Sequence, residues 1–206
     1  MTDTERPHTR QYRQYSETLY QALADDPFYR ALERNVACRD NAREAMLCYF
    51  DYSICEADRF GHLCRPSDKP VGVSLWSVPL GKTGKSQKQN GKSAAIRTRM
   101  GLRCLEVYQQ IGTFMSAASA PLIAETDWYL SIVGVLPEFQ GRGLGAELIN
   151  PVLATTDARG ISTYLETFTP RNMPFYNRLG YAIAGRFSEP VTQADYWLMR
   201  RPPGSR

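Results

Sequence analysis

Two hydrophobic spacings alternate along the 206 residues. The helical period comes first. Tyr12, Tyr15, Leu19, Ala22 and Leu23 mark one face of a helix from Arg10 to Ala24, and Asp25-Asp26-Pro27 ends it. Pro27 then suits the first turn of a short second helix carrying Phe28, Tyr29 and Leu32. Asn41 with Glu44 three residues on has the spacing of a capping box, and Ala45, Met46, Cys48, Tyr49, Tyr52 and Ile54 carry that helix to Asp58. The period then changes to two. Gly61 to Arg65 and Val71 to Val78 predict strands of an antiparallel hairpin around Pro66-Ser67-Asp68-Lys69-Pro70. Ile96, Met100, Leu105, Tyr108, Ile111 and Met115 form the stripe of one helix from Ala94 to Ala118. Trp128 to Leu136 predicts a strand closed by Pro137, followed by a helix from Gly143 to Asp157 that stops at Gly160. Ile161 to Phe168 predicts a strand, Asn172 to Leu179 a short helix ending at Gly180, and Tyr181 to Phe187 and Tyr196 to Arg200 two closing strands. The sum is one α/β domain, of the α+β kind, whose mixed and mostly antiparallel sheet is flanked by helices.

Charge changes this picture in one place. Lys82, Lys85, Lys88, Lys92, Arg97, Arg99 and Arg103 fall in a stretch without acids, which accounts for the net +4 and leaves the rest of the chain net acidic. Residues 81–91 hold no apolar side chain, so a flexible Lys-rich loop over 81–93 is predicted, able to fold over a ligand as a lid. No aromatic interleaves with these cations, which argues against nucleic acid and for a solvated segment. Trp76 ends its strand either in the core or beside a site, and Tyr49, Phe50 and Tyr52 either pack or line a cleft. No unbroken apolar run approaches a membrane span and no leader core opens the chain, so a cytoplasmic protein without a membrane partner is expected. Five cysteines without a Cys-x-x-Cys pair, with two histidines in the whole chain, point to buried reduced thiols and to no metal site.

Chemistry concentrates after the strand at Trp128. There the chain enters Gly141, Gly143 and Gly145 and then a helix. The first turn of a helix presents N–H groups without intrahelical partners at the positive end of its dipole, and glycine lets a phosphate come close. Arg142 and the amide of Gln140 offer further donors, so a diphosphate is expected here. Gly141-x-Gly143-x-x-Ala146 also fits a loose dinucleotide fingerprint, with Glu166 about twenty residues on. The intervening Pro137-Glu138-Phe139-Gln140 and the short remaining chain oppose a Rossmann fold. Gly84-Lys85-Ser86 and Gly91-Lys92-Ser93 fail as P-loops for want of the earlier glycine.

Gln140-Gly141-Arg142-Gly143-Leu144-Gly145, placed after Val135-Leu136-Pro137, resembles the acyl-CoA signature of the GCN5-related N-acetyltransferases, the GNAT superfamily, at every defining position. Leu165-Glu166-Thr167 and Pro170 to Tyr181 resemble the next strand and helix of that family, so that residues 127–200 look like the C-terminal half of puromycin N-acetyltransferase-like enzymes. The resemblance implies a single GNAT-like domain: an acceptor-side half over about 1–120 and an acetyl-CoA-binding half over 127–200. It further implies acetyl-CoA as co-substrate, held by Gln140, Gly141, Arg142, Gly143, Leu144 and Gly145 at the diphosphate. Its pantetheine would pair with the strand edge Ile132, Val133, Gly134 and Val135, with Gly134 as a bulge aiming an N–H at the thioester oxygen. Asn172 would contact the cofactor or cap its helix. Tyr176 matches the family's acid, and a phenol of ordinary pKa near 10 carries a proton to give. Glu166 would take the amine proton directly or through water, or only bind a cationic substrate; Asp25 and Asp26 are weaker candidates for amine recognition. The implied activity is N-acetylation of a primary amine on a small molecule, an aminonucleoside or an antibiotic among them, by direct attack in a ternary complex. Peptide or protein N-termini, a non-catalytic acyl-CoA sensor, and nucleic-acid binding through the Lys-rich stretch are the alternatives. A homodimer is a further expectation that the family raises.

Overall fold

The computed structural model describes residues 12–66 and 69–204. The start of the predicted first helix and Ser67 and Asp68 of the predicted turn lie outside the described residues. Helix α1 (Arg13–Ala22) buries Tyr15 and Leu19. Helix α2 (Pro27–Arg34) begins as its proline predicts, with the Asp26 carboxylate accepting the Phe28 N–H at 2.9 Å. Helix α3 (Ala42–Phe60) differs at its start. A 3-10 turn over Arg39–Asn41 leads into it, and Asn41 makes no side-chain cap. Glu44 instead accepts from Arg13 at 2.7 Å, so the predicted capping box is replaced by a tie between α1 and α3.

The hairpin forms as the alternation requires, with β1 (Gly61–Cys64) antiparallel to β2 (Gly72–Ser77). Strand β2 is buried on both faces. Val73 and Leu75 join the core under α1, α3 and the following helices, while Trp76 packs in a second core on the other face and Ser74 donates to the Leu148 carbonyl at 2.7 Å. Trp76 is fully buried, so its core reading holds.

The Lys-rich stretch is a helix, α4 (Lys82–Met100), and the loop prediction is corrected. Lys and Gln are good helix formers, and long lysine stems cover apolar surface that a shorter polar residue would leave open. Lys92, Ile96 and Met100, spaced by four, are its buried residues. The single helix predicted from Ala94 to Ala118 is also two. Gly101, at φ +95°, separates α4 from α5 (Leu102–Ser119), because an added Cβ there would stand 2.6 Å from that of Ala37.

Strand β3 (Trp128–Val135), helix α6 (Leu144–Ala158), β4 (Thr163–Thr167), α7 (Met173–Arg178), β5 (Ala182–Glu189) and β6 (Ala194–Arg201) complete the chain. The six strands run in the order β1-β2-β3-β4-β6-β5, and β3 with β4 is the parallel pair in an otherwise antiparallel sheet. Helices cover both faces, giving one α/β domain of the predicted class. A bulge interrupts β3, although not at Gly134. Leu75 faces Ile132 and Trp76 faces Leu130, so Ser131 is the extra residue. Its effect shows in the packing: Trp128 and Leu130 belong to the core beside α6, whereas Ile132 belongs to the core beside α1. Gly134 stays in register with Val73, and its missing Cβ makes room for Leu19 and Ala22 of α1. All five cysteines are free thiols, but only Cys104 is buried. Among the described residues no helix is long and apolar enough to cross a membrane.

Candidate active site

Strands β3 and β4 pair at Trp128 with Thr163, Tyr129 with Tyr164 and Leu130 with Leu165, and then part. Five residues of β3, Ser131 to Val135, continue beyond the last pair. The cause lies at the bulge, which turns β3 at the residue where pairing stops. Glu166 follows Leu165 at the mouth of this opening. Its Oε2 accepts from the Tyr129 hydroxyl at 3.0 Å, while Oε1 is buried without a hydrogen-bond partner. The Tyr129 and Tyr164 rings stack beside it at 4.6 Å. Burial in this tyrosine-lined place pushes the Glu166 carboxyl up to about 7, against the opposing hydrogen bond from Tyr129.

The opening leads into a cleft of about 1010 Å³ between the sheet and helices α2 to α5. Aromatic rings form much of its lining, among them Phe28, Tyr29, Tyr49 and Tyr108. The cleft reading of Tyr49 therefore holds, while Phe50 is core. Asp26 also lines the cleft, and burial raises its carboxyl to about 6 against the α2 backbone donors. Tyr176 is 6% exposed and packs between Phe175 and Tyr181. Burial first, then the charges of Tyr181 and Asp26, keep its phenol protonated well above neutrality.

At the glycine turn, Gly141 and Gly143 sit at φ +76° and +88°, and a Cβ on either would meet no more than the far end of the Glu147 side chain at 4.0 Å. These two are glycines for backbone conformation and leave open space in front of α6. Gly145 differs: its Cβ would stand 3.0 Å from the Phe175 ring, so it sets how closely α7 approaches α6. Gln140 donates its side-chain amide to the Val135 carbonyl at 2.9 Å, tying the turn to the end of β3, and Arg142 lies over the Phe139 ring. Asn172 is exposed and caps nothing with its side chain, so the cap reading of it falls. The free β3 edge and the glycine turn thus present one continuous line of backbone groups, which suits an extended amide chain ending in a diphosphate.

Residues 90–181 match the model of the acetyltransferase (GNAT) family. That stretch, a little under half of the chain, resembles the GNAT family. A 5-NmdU N-acetyltransferase of Pseudomonas phage PaMx11 is 38% identical over 56 residues, which span 27% of this chain and 40% of that protein. A histone acetyltransferase HPA2-related structure from Corynebacterium glutamicum superposes with a TM-score of 0.64 at 22% identity, covering 94% of this chain and 91% of that one. The polyamine N-acetyltransferase of Drosophila melanogaster gives 0.59 at 12% identity over 96% and 97%. At such identities the likeness is one of fold, and it takes in the N-terminal half that the family model leaves unmatched.

Sequence reasoning missed three features of this site. Tyr129, partner to Glu166, reads in the sequence as one more apolar strand residue. Ser131 gives no signal of a bulge. Lys92, 7% exposed on the cleft wall, stands one turn before Ile96 in a stretch that reads as solvated, so nothing in the sequence signals its burial.

Proposed function

We propose that this protein transfers the acetyl group of acetyl-CoA to a primary amine of a small molecule, by direct attack in a ternary complex. The observation that carries the reading is Glu166: a carboxylate poised near neutrality, with one oxygen unpaired, at the point where the free β3 edge meets an aromatic cleft. The co-substrate supplies a thioester carbonyl and a thiol leaving group. Backbone groups of Ile132, Val133, Gly134 and Val135 hold its amide chain, and the N–H groups of Gln140 to Gly145 hold its diphosphate. Glu166 Oε1 accepts the proton of the amine, with Tyr129 fixing Oε2. Tyr176 keeps its proton at neutral pH and delivers it to the departing sulfur. The relative from the phage is named for acetylation of 5-NmdU, which supports starting with aminonucleosides as acceptors.

Thiol release from acetyl-CoA, measured with aminonucleosides and other primary amines, tests this. Amine-dependent release is expected, reduced about 100-fold in kcat/KM by Glu166→Gln. Saturable acetyl-CoA binding with no amine-dependent release would leave a sensor and sink the transfer reading.

A further inference from the structure

One buried charge in the cleft has no part in the transfer step. Lys92 projects from α4 between the rings of Tyr49 and Tyr52, its Nζ 4.4 Å and 5.3 Å from their centroids, and donates to the Ser53 hydroxyl. An ammonium has three N–H donors, and Ser53 takes one. Among the described residues no carboxylate lies within ion-pair distance of it. Glu56, whose charge acts on Lys92, pairs through Oε1 with Lys88 at 3.5 Å, while its Oε2 is buried without a hydrogen-bond partner. Two lysines against one glutamate leave this wall with an excess positive charge, in a cleft whose other ionisable lining is Asp26, Glu125, Asp127, Glu166 and tyrosines.

A desolvated ammonium is costly to maintain, and the cost falls when an oxygen acceptor meets its remaining donors. Burial shows that cost: it lowers the Lys92 pKa to about 8, with Lys88 reinforcing and Glu56 opposing, so the group is still mostly protonated at neutral pH. Tyr49 and Tyr29, in edge-to-face contact with ring centroids 6.1 Å apart, stand on the same cleft lining and give an aromatic wall against which a ring can pack.

We infer that Lys92 is a specificity-determining residue, whose ammonium binds a hydrogen-bond-accepting oxygen on the acceptor molecule. The acceptor is then a planar compound with two poles: a primary amine for Glu166, and a carboxylate or ring-borne carbonyl for Lys92. This rests on the reading of the cleft as the acceptor site. A distal cation placed beside the Lys92 ammonium is opposed by Lys88 and Lys92 together.

Three matched ligands test it: 4-(2-aminoethyl)benzoate, 4-(2-aminoethyl)benzamide and phenethylamine, each titrated calorimetrically into the full-length protein. The two oxygen-bearing compounds are expected to bind at least tenfold more tightly than phenethylamine. A larger gain for the benzoate assigns the site to an acid, and a larger gain for the benzamide assigns it to a neutral carbonyl. Lys92→Met should bring the three within about twofold of one another. Equal affinities in the wild-type protein, or no measurable binding of any, overturn the inference whether or not the variant folds. A preference that survives in a folded Lys92→Met protein overturns it as well. Should the preference hold while no amine releases thiol from acetyl-CoA, the transfer reading fails and the Lys92 site stands.

Discussion

At Glu166 two demands meet in one side chain. A base must be ionised to accept a proton, yet the tyrosines that shield it favour the neutral acid. With its pKa near 7, activity should rise as pH increases through that value, and Glu166→Gln should remove this limb from the kcat/KM profile. Stability moves the other way. The folded state holds the proton more tightly than the unfolded chain, so the contribution is full below the ordinary carboxyl value of about 4.5 and is lost as pH rises through about 7. Thermal melts should therefore show wild type losing ground to Glu166→Gln between pH 5 and pH 8. Tyr176 gives a sharper contrast. Tyr176→Phe keeps the packing between Phe175 and Tyr181 and deletes only the proton, so kcat should fall about 100-fold with KM little changed. An unaltered kcat would reduce Tyr176 to packing. Glu166 and Tyr176 were legible because both stand in family-like motifs. Lys92 was not, because in sequence a lysine among lysines looks solvated, and only the approach of Tyr49 and Tyr52 on another helix buries it.

Among the elements, the glycines separate two kinds of constraint. Gly143→Ala adds a methyl into open space but at φ +88°, which costs about 1–2 kcal/mol of backbone strain. Relief of that strain moves the N–H groups at the start of α6, so acetyl-CoA affinity should fall together with stability. Gly134→Ala meets Leu19 at 2.8 Å and Ala22 at 3.1 Å, which pushes α1 off β3 and costs about 1–3 kcal/mol in denaturant titrations. The sequence displayed every strand and nearly every helix through period alone, since each buries one face against a neighbour. Helix α4 escaped because its N-terminal half buries lysine stems in place of apolar side chains. Its junction with α5 escaped because the stripe runs through Gly101 without a break in phase, while the fold needs the turn to admit Ala37. The bulge at Ser131 escaped because the pairing of β2 with β3 decides it, and no local preference does.

Across the whole molecule, the sheet consists of β1-β2-β3 and β4-β6-β5, joined in its plane by three residue pairs and the Trp128 N–H to the Ser162 carbonyl at 3.0 Å. Parallel pairing is the weaker kind per residue, and here it is also short. The join is thus a seam along which the fold has the least to hold it. Amide deuterium exchange should be fastest among the central strands at Ser131 to Val135 and at Glu166–Thr167. An amide chain laid along the β3 edge bridges both half-sheets, so saturating acetyl-CoA should slow exchange on both sides of the seam and raise the melting temperature with concentration. Slowing confined to the glycine turn would mean that the chain of the co-substrate lies elsewhere. The line that is weakest when empty becomes stiff when filled, so the protein's rigidity, more than its shape, reports whether the cleft is ready for an acceptor.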